Sequence, residues 1–112
     1  MSPITTHVLD TRTGTPAANL SIRLLQLQEG QFVELAGGIT NEDGRIKDLL
    51  KVGSLNSGIY KMHFDTGSYH EALGVEGFYP EAVICFEITN TEQHYHIPLL
   101  LSPFGYSTYR GS

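Results

Sequence analysis

Two histidines, His94 and His96, stand two residues apart in a stretch that reads as a β-strand, so both imidazoles leave the same face. A third, His7, lies on an alternating segment near the start of the chain, beside Thr5 and Leu9 and opposite Ile4, Thr6 and Val8. Imidazole titrates near pH 6.5 and is mostly neutral at pH 7, so a histidine held on a rigid strand can take a proton from water. His-x-His with His7 as a third nitrogen could also chelate zinc. No carboxylate or cysteine is arranged nearby as a further ligand, and the reading without a metal is preferred. Arg45 comes directly out of the turn Asn41-Glu42-Asp43-Gly44, with a charge that persists and a planar fork that fits oxygen and nitrogen edges. The last four residues, Tyr109, Arg110, Gly111 and Ser112, bring a phenol, a guanidinium, a flexible glycine and a hydroxyl. Such groups suit recognition of a small polar molecule better than solvation of a chain end. A covalent role for Ser112 is less favoured than a positioned water, because terminal residues are mobile. His63 and His70 are expected to be solvated, on the polar side of a strand and on a helix surface.

Composition narrows the classes. A chain of 112 residues is one domain, spanning residues 1–112, with room for one hydrophobic core. No apolar run approaches the ~20 residues that cross a bilayer as a helix. Seven basic against twelve acidic side chains give a net charge of −5 without a cluster of either sign. Nucleic acid, which needs a basic stripe to displace counterions, is therefore not an expected partner, and neither is a membrane. The start of the chain carries no basic and apolar signal pattern, which predicts a cytoplasmic protein, or a periplasmic one if a signal has been removed. Cys85 is the single cysteine and is expected to be a small packed side chain between Ile84 and Phe86. There is no nucleophile elbow, dinucleotide fingerprint or phosphate loop, and no cofactor is implied.

These groups need a scaffold, and the pattern predicts an all-β one. Turn signals recur roughly every ten residues, the spacing of short strands. Strands are expected at 4–9, 20–28, 32–40, 45–49, 59–65, 82–88, 92–101 and 105–110. Adjacent Leu24 and Leu25 imply burial on both faces of the second, and Gly37-Gly38 suggests a bulge in the third. Tyr60, Met62 and Phe64 should point inward, as should Tyr95, Ile97, Leu99 and Leu101. One short helix interrupts the strands: Ser68-Tyr69-His70-Glu71 reads as a capping box and Gly74 as a left-handed stop. Two helical turns are not stable alone and must dock on a sheet. About eight strands and one helix predict a two-sheet β-sandwich.

Taken together, these segments resemble the transthyretin-related family, and within it the branch that hydrolyses 5-hydroxyisourate. The matching pieces are His7-Val8-Leu9-Asp10-Thr11 with Gly14-x-Pro16-Ala17, the turn Asp43-Gly44-Arg45, and the run from His94 to Pro103. The match continues through Gly105-Tyr106-Ser107-Thr108 to the terminal Tyr109-Arg110-Gly111-Ser112, covering essentially the whole chain. The resemblance implies an eight-stranded, transthyretin-like sandwich with one short helix. It implies His7, Arg45, His96 and Ser112 as catalytic residues, with Tyr109, Arg110 and Gly111 binding substrate, and no metal. The implied substrate is 5-hydroxyisourate, and the implied assembly is a homotetramer with sites in a channel between paired dimers. The hormone-carrying branch lacks the His/Arg/His set and this ending, so a thyroid-hormone carrier is disfavoured; a non-catalytic transthyretin-like small-ligand binder stands as the alternative.

Overall fold

The computed structural model describes residues 2–112. Its strands are β1 (Ile4–Asp10), β2 (Thr15–Pro16), β3 (Ser21–Gln28), β4 (Gln31–Ile39), β5 (Gly58–Phe64), β6 (Ala82–Ile88), β7 (Tyr95–Ser102) and β8 (Gly105–Thr108), with one helix, α1 (Thr66–Ala72), between β5 and β6. They form two four-stranded sheets, ordered β2-β1-β7-β8 and β4-β3-β5-β6. The pairing of β1 with β7 is parallel, and it joins the strands that carry His7 and His96, setting Thr5 opposite His96 and His7 opposite Pro98.

Period-two alternation builds the core. Along β1 the residues Ile4, Thr6, Val8 and Asp10 are buried while Thr5, His7 and Leu9 are half-buried on the outer face. Tyr60, Met62 and Phe64 of β5 and Tyr95, Ile97, Leu99 and Leu101 of β7 face inward as their spacing predicts. The apolar layer between the sheets leaves the opposite face of β1 and β7 free to carry polar side chains.

Several local expectations are corrected. Residues 45–49 form no strand: Asp48 has φ +55°, a left-handed turn that ends extended structure, and the count of eight is completed by β2. The bulge in β4 falls at Leu35, where pairing jumps from Leu24–Ala36 to Leu25–Glu34, while Gly37 and Gly38 stay in register with Arg23 and Ile22. β7 begins at Tyr95 and not at residue 92, because Asn90 turns the chain by accepting from the Glu92 amide on its side chain and the Gln93 amide on its carbonyl. β8 ends at Thr108 and not at residue 110. The reason lies opposite, where Pro98 has no N–H to continue the ladder and its carbonyl accepts from the Thr108 hydroxyl at 2.7 Å.

The helix is capped by Asp65, whose carboxylate accepts from the Ser68 amide, so Ser68 lies inside the first turn instead of capping it. Gly74, at φ +68°, does stop the helix: the Gly74 amide donates to Glu71 and the Val75 amide to His70. α1 docks through Thr66, Tyr69 and His70, and the Tyr69 hydroxyl donates to the Asp10 carboxylate at the end of β1 at 2.7 Å. His70 is thereby 2% exposed, not solvated, and neither ring nitrogen has a partner. His63 bonds Glu81 at 2.6 Å. Cys85 is exposed rather than packed, because β6 is an edge strand whose alternation turns Ile84 and Phe86 toward the core and Cys85 outward.

Candidate active site

The parallel register of β1 and β7 makes the site. Thr5 and His96 are direct partners, and the Thr5 hydroxyl lies 2.9 Å from His96 Nδ1 and 3.0 Å from His94 Nε2. The two histidine rings stand nearly parallel with centroids 6.5 Å apart, as the His-x-His spacing requires. His7, two residues along β1 from Thr5, shares their face.

Arg45 is delivered by a turn pinned to β1. Gly44 adopts φ +72°, and a Cβ there would meet the Val8 carbonyl at 2.5 Å, so only glycine fits. The Val8 amide donates to the Gly44 carbonyl at 2.9 Å, tying the turn next to His7. The Asn41 side chain accepts from the amides of Asp43 and Arg45, and the Asn41 amide donates to the Arg45 carbonyl. These bonds hold the Arg45 backbone beside β1, and Arg45 lines the same cavity as His94 and His96.

The end of the chain closes on the same place. Beyond the gap at Pro98, the β7–β8 register resumes as a bridge between His96 and Gly111, with the Gly111 amide donating to the His96 carbonyl at 2.9 Å. A Cβ on Gly111 would lie 2.5 Å from His96 Cδ2, so glycine lets the chain pass against the imidazole edge. Ser112 follows and lines, with Arg45, His94, His96, Thr5 and Lys47, a cavity of about 530 Å³. Tyr109 and Arg110 face a smaller, mainly apolar hollow of about 250 Å³ on the other side of His96. There the Arg110 guanidinium stacks 4.5 Å from the Tyr95 ring centroid and donates to the Gln93 side chain at 3.0 Å, while Tyr109 is exposed.

Electrostatics favour neutral imidazoles. Burial lowers the pKa of His96 from 6.5, and the charges of Arg45, His94 and His7 lower it further, against an opposing bond from the Thr5 carbonyl. Burial also lowers His7, with Arg45 second, while the Asp43 carbonyl and carboxylate oppose. One guanidinium thus acts on both rings and keeps them in the form that accepts protons. Among the described residues, no three His, Cys, Asp or Glu side chains gather closely enough to hold a metal ion.

Arg45, His96 and Ser112 therefore line one cavity, His7 sits on the same strand face beside it without lining it, Gly111 packs against His96, and Tyr109 and Arg110 line the adjoining hollow. Thr5 and His94 enter as additional members. Their spacing placed each on the correct face, but only the parallel pairing, which no local pattern signals, sets Thr5 between the two rings.

The family model described as HIUase/Transthyretin family matches residues 4–111. The chain belongs to that family. Among relatives in the HIUase/Transthyretin family, a Mus musculus protein named 5-hydroxyisourate hydrolase is 49% identical, over 99% of this chain and 96% of its own length. The structure of Klebsiella pneumoniae 5-hydroxyisourate hydrolase superposes with a TM-score of 0.84 at 38% identity, covering 97% of this chain and 98% of that one. Sea bream transthyretin, solved in complex with thyroxine, gives a TM-score of 0.92 at 32% identity, over 97% and 94% of the two chains. Backbone likeness is therefore high for both named members of the HIUase/Transthyretin family, and side chains must separate them.

Proposed function

We propose that this chain hydrolyses 5-hydroxyisourate to 2-oxo-4-hydroxy-4-carboxy-5-ureidoimidazoline. The observation that carries the reading is the one cavity that Arg45, His94, His96 and Ser112 line together, next to the strand face that carries His7. The name and near-complete coverage of the mouse relative support the same substrate. Water must attack a ring carbonyl and the ring nitrogen must leave. One neutral histidine takes the water proton while the other orients water or returns a proton to the leaving nitrogen, a division worth ~10²–10⁴-fold in rate. Arg45 stabilises the negative charge that develops on the carbonyl oxygen. Ser112 borders the cavity and orients substrate, with Gly111 holding the terminal segment beside His96. Tyr109 and Arg110 complete the substrate enclosure where subunits meet, in a homotetramer with its sites between paired dimers.

The alternative is a non-catalytic binder, which the backbone likeness to the thyroxine-bound transthyretin favours. A carrier pocket is mainly apolar with a few polar fixers, whereas this cavity is lined by Arg45, Lys47, Asp48, His94 and His96. Generating 5-hydroxyisourate in situ from urate and following its ultraviolet decay decides between them. Decay much faster than the spontaneous rate, lost in His96→Asn and unaffected by a chelator, is the expected result. Decay at the spontaneous rate with the wild-type protein would establish the binder, and loss on chelation would establish a metal enzyme.

A further inference from the structure

Thr5 has no part in the proton transfers described above, yet among the described residues its hydroxyl is the one group that hydrogen-bonds both imidazoles of the His-x-His pair. A hydroxyl has one proton to donate and two lone pairs to accept with. It therefore couples the proton positions of the two rings. If Thr5 donates to His94 Nε2, its lone pairs accept a proton borne by His96 Nδ1. If it donated to His96 Nδ1 instead, the proton of neutral His96 would sit on Nε2, and that ring could not act as a base from its free edge.

The placing of the ring chooses between these states. Nδ1 is the nitrogen held by the Thr5 hydroxyl, so Nε2 is the one left for water, and it can accept a proton only when the ring's own proton sits on Nδ1 and Thr5 accepts it. On the opposite edge Gly111 lies against Cδ2, next to Nε2. The ring is thus clamped with Nδ1 toward Thr5 and Nε2 toward the free edge. Neutral histidine in a site commonly owes its tautomer to the bond made by the second nitrogen.

We propose that Thr5 is a positioning residue which, held between His94 and His96, fixes the His96 tautomer protonated on Nδ1 and leaves Nε2 free to take the proton of water. This deepens the hydrolase reading and rests on His96 being the base. Proton balance follows directly: water gives its proton to Nε2, the resulting imidazolium keeps its Nδ1–H on Thr5, and Nε2 returns the proton to the leaving nitrogen.

The test joins ¹⁵N imidazole spectra of the intact protein above pH 7 with turnover of in situ 5-hydroxyisourate, for wild type, Thr5→Val, Thr5→Ser and His96→Asn. Wild-type His96 should show Nδ1 protonated and Nε2 bare. Thr5→Val, of equal shape, should move His96 toward the Nε2–H form and lower kcat about tenfold with KM changed less than about twofold. Thr5→Ser should restore both the spectrum and the rate. A wild-type His96 protonated on Nε2, or an unchanged tautomer in Thr5→Val, overturns the proposal even if Thr5→Val is slow. Should Thr5→Val fail to fold, the wild-type and Thr5→Ser spectra still decide. An active His96→Asn would defeat the base assignment separately, leaving the spectra to judge what Thr5 does.

Discussion

At the scale of single residues, Arg45 has two effects that one substitution can separate. It lowers the pKa of His7 and His96, and in the proposed mechanism it offers donors to an oxygen that becomes charged. Arg45→Gln removes the charge and the guanidinium donors while keeping a polar side chain. Turnover should fall about 10²–10³-fold, the usual cost of losing one such donor. The base must be neutral to work, so activity falls as pH drops through its pKa. With the lowered pKa that acid limb lies below 6.5 in the wild type, and in Arg45→Gln it should move upward. A limb that stays in place would show that the guanidinium does not reach the titrating ring. Gly111 gives a second test. An added Cβ would lie 2.5 Å from His96 Cδ2, so Gly111→Ala must displace the ring or the chain end. Activity should fall about 10²-fold, as small misplacements near reacting atoms commonly cause, with Tm nearly unchanged.

At the scale of elements, the site depends on how a turn and a sheet edge meet. Gly44→Ala forces a side chain into a left-handed conformation with the Val8 carbonyl 2.5 Å away. Destabilisation of about 1–3 kcal/mol is expected in denaturant unfolding, together with loss of activity as Arg45 moves. Alternation made most strands readable in advance, and β6 was placed at its observed bounds, Ala82–Ile88. The inward set of β7 was equally legible, because branched and aromatic residues at period two have one stable placement over a core. What local pattern could not show was partnership. Leu49 and Leu50 look like strand residues but are buried from a turn region, with the Leu50 amide donating to Ser2. His7, Arg45 and His96 were identifiable as chemistry-bearing groups, whereas Thr5 acquires meaning only from a strand 91 residues away.

Over the whole molecule, the seam between helix and sandwich holds a group at odds with its setting. His70 is buried with both nitrogens unpartnered, beside Tyr69 and near Asp10 and Arg12. Burial lowers its pKa, with the Asp10 charge opposing and Arg12 reinforcing. At neutral pH both folded and unfolded states hold it uncharged. As pH falls through 6.5 the unfolded chain takes the proton first, so stability declines until the lowered folded pKa is reached. Tm should therefore drop from pH 7 to pH 5, and His70→Leu should reduce that slope; an equal slope in the variant would exclude His70 as the source. Assembly is the other molecular question. Sedimentation at working concentration should return about four times the 12.4 kDa chain mass if the sites lie between dimers.

The proline in the middle of β7 has a consequence for how substrate gets in. Because the ladder lapses at Pro98 and resumes only as a lone bridge at His96, residues 109–112 hang from the sandwich by one backbone stitch, seconded by the Arg110 side chain on Tyr95 and Gln93. That stitch can open and reseal while the β7–β8 hairpin stays intact. Hydrogen exchange should find the Gly111 amide far more labile than its hairpin neighbours, the signature of a doorway that works without loosening the house.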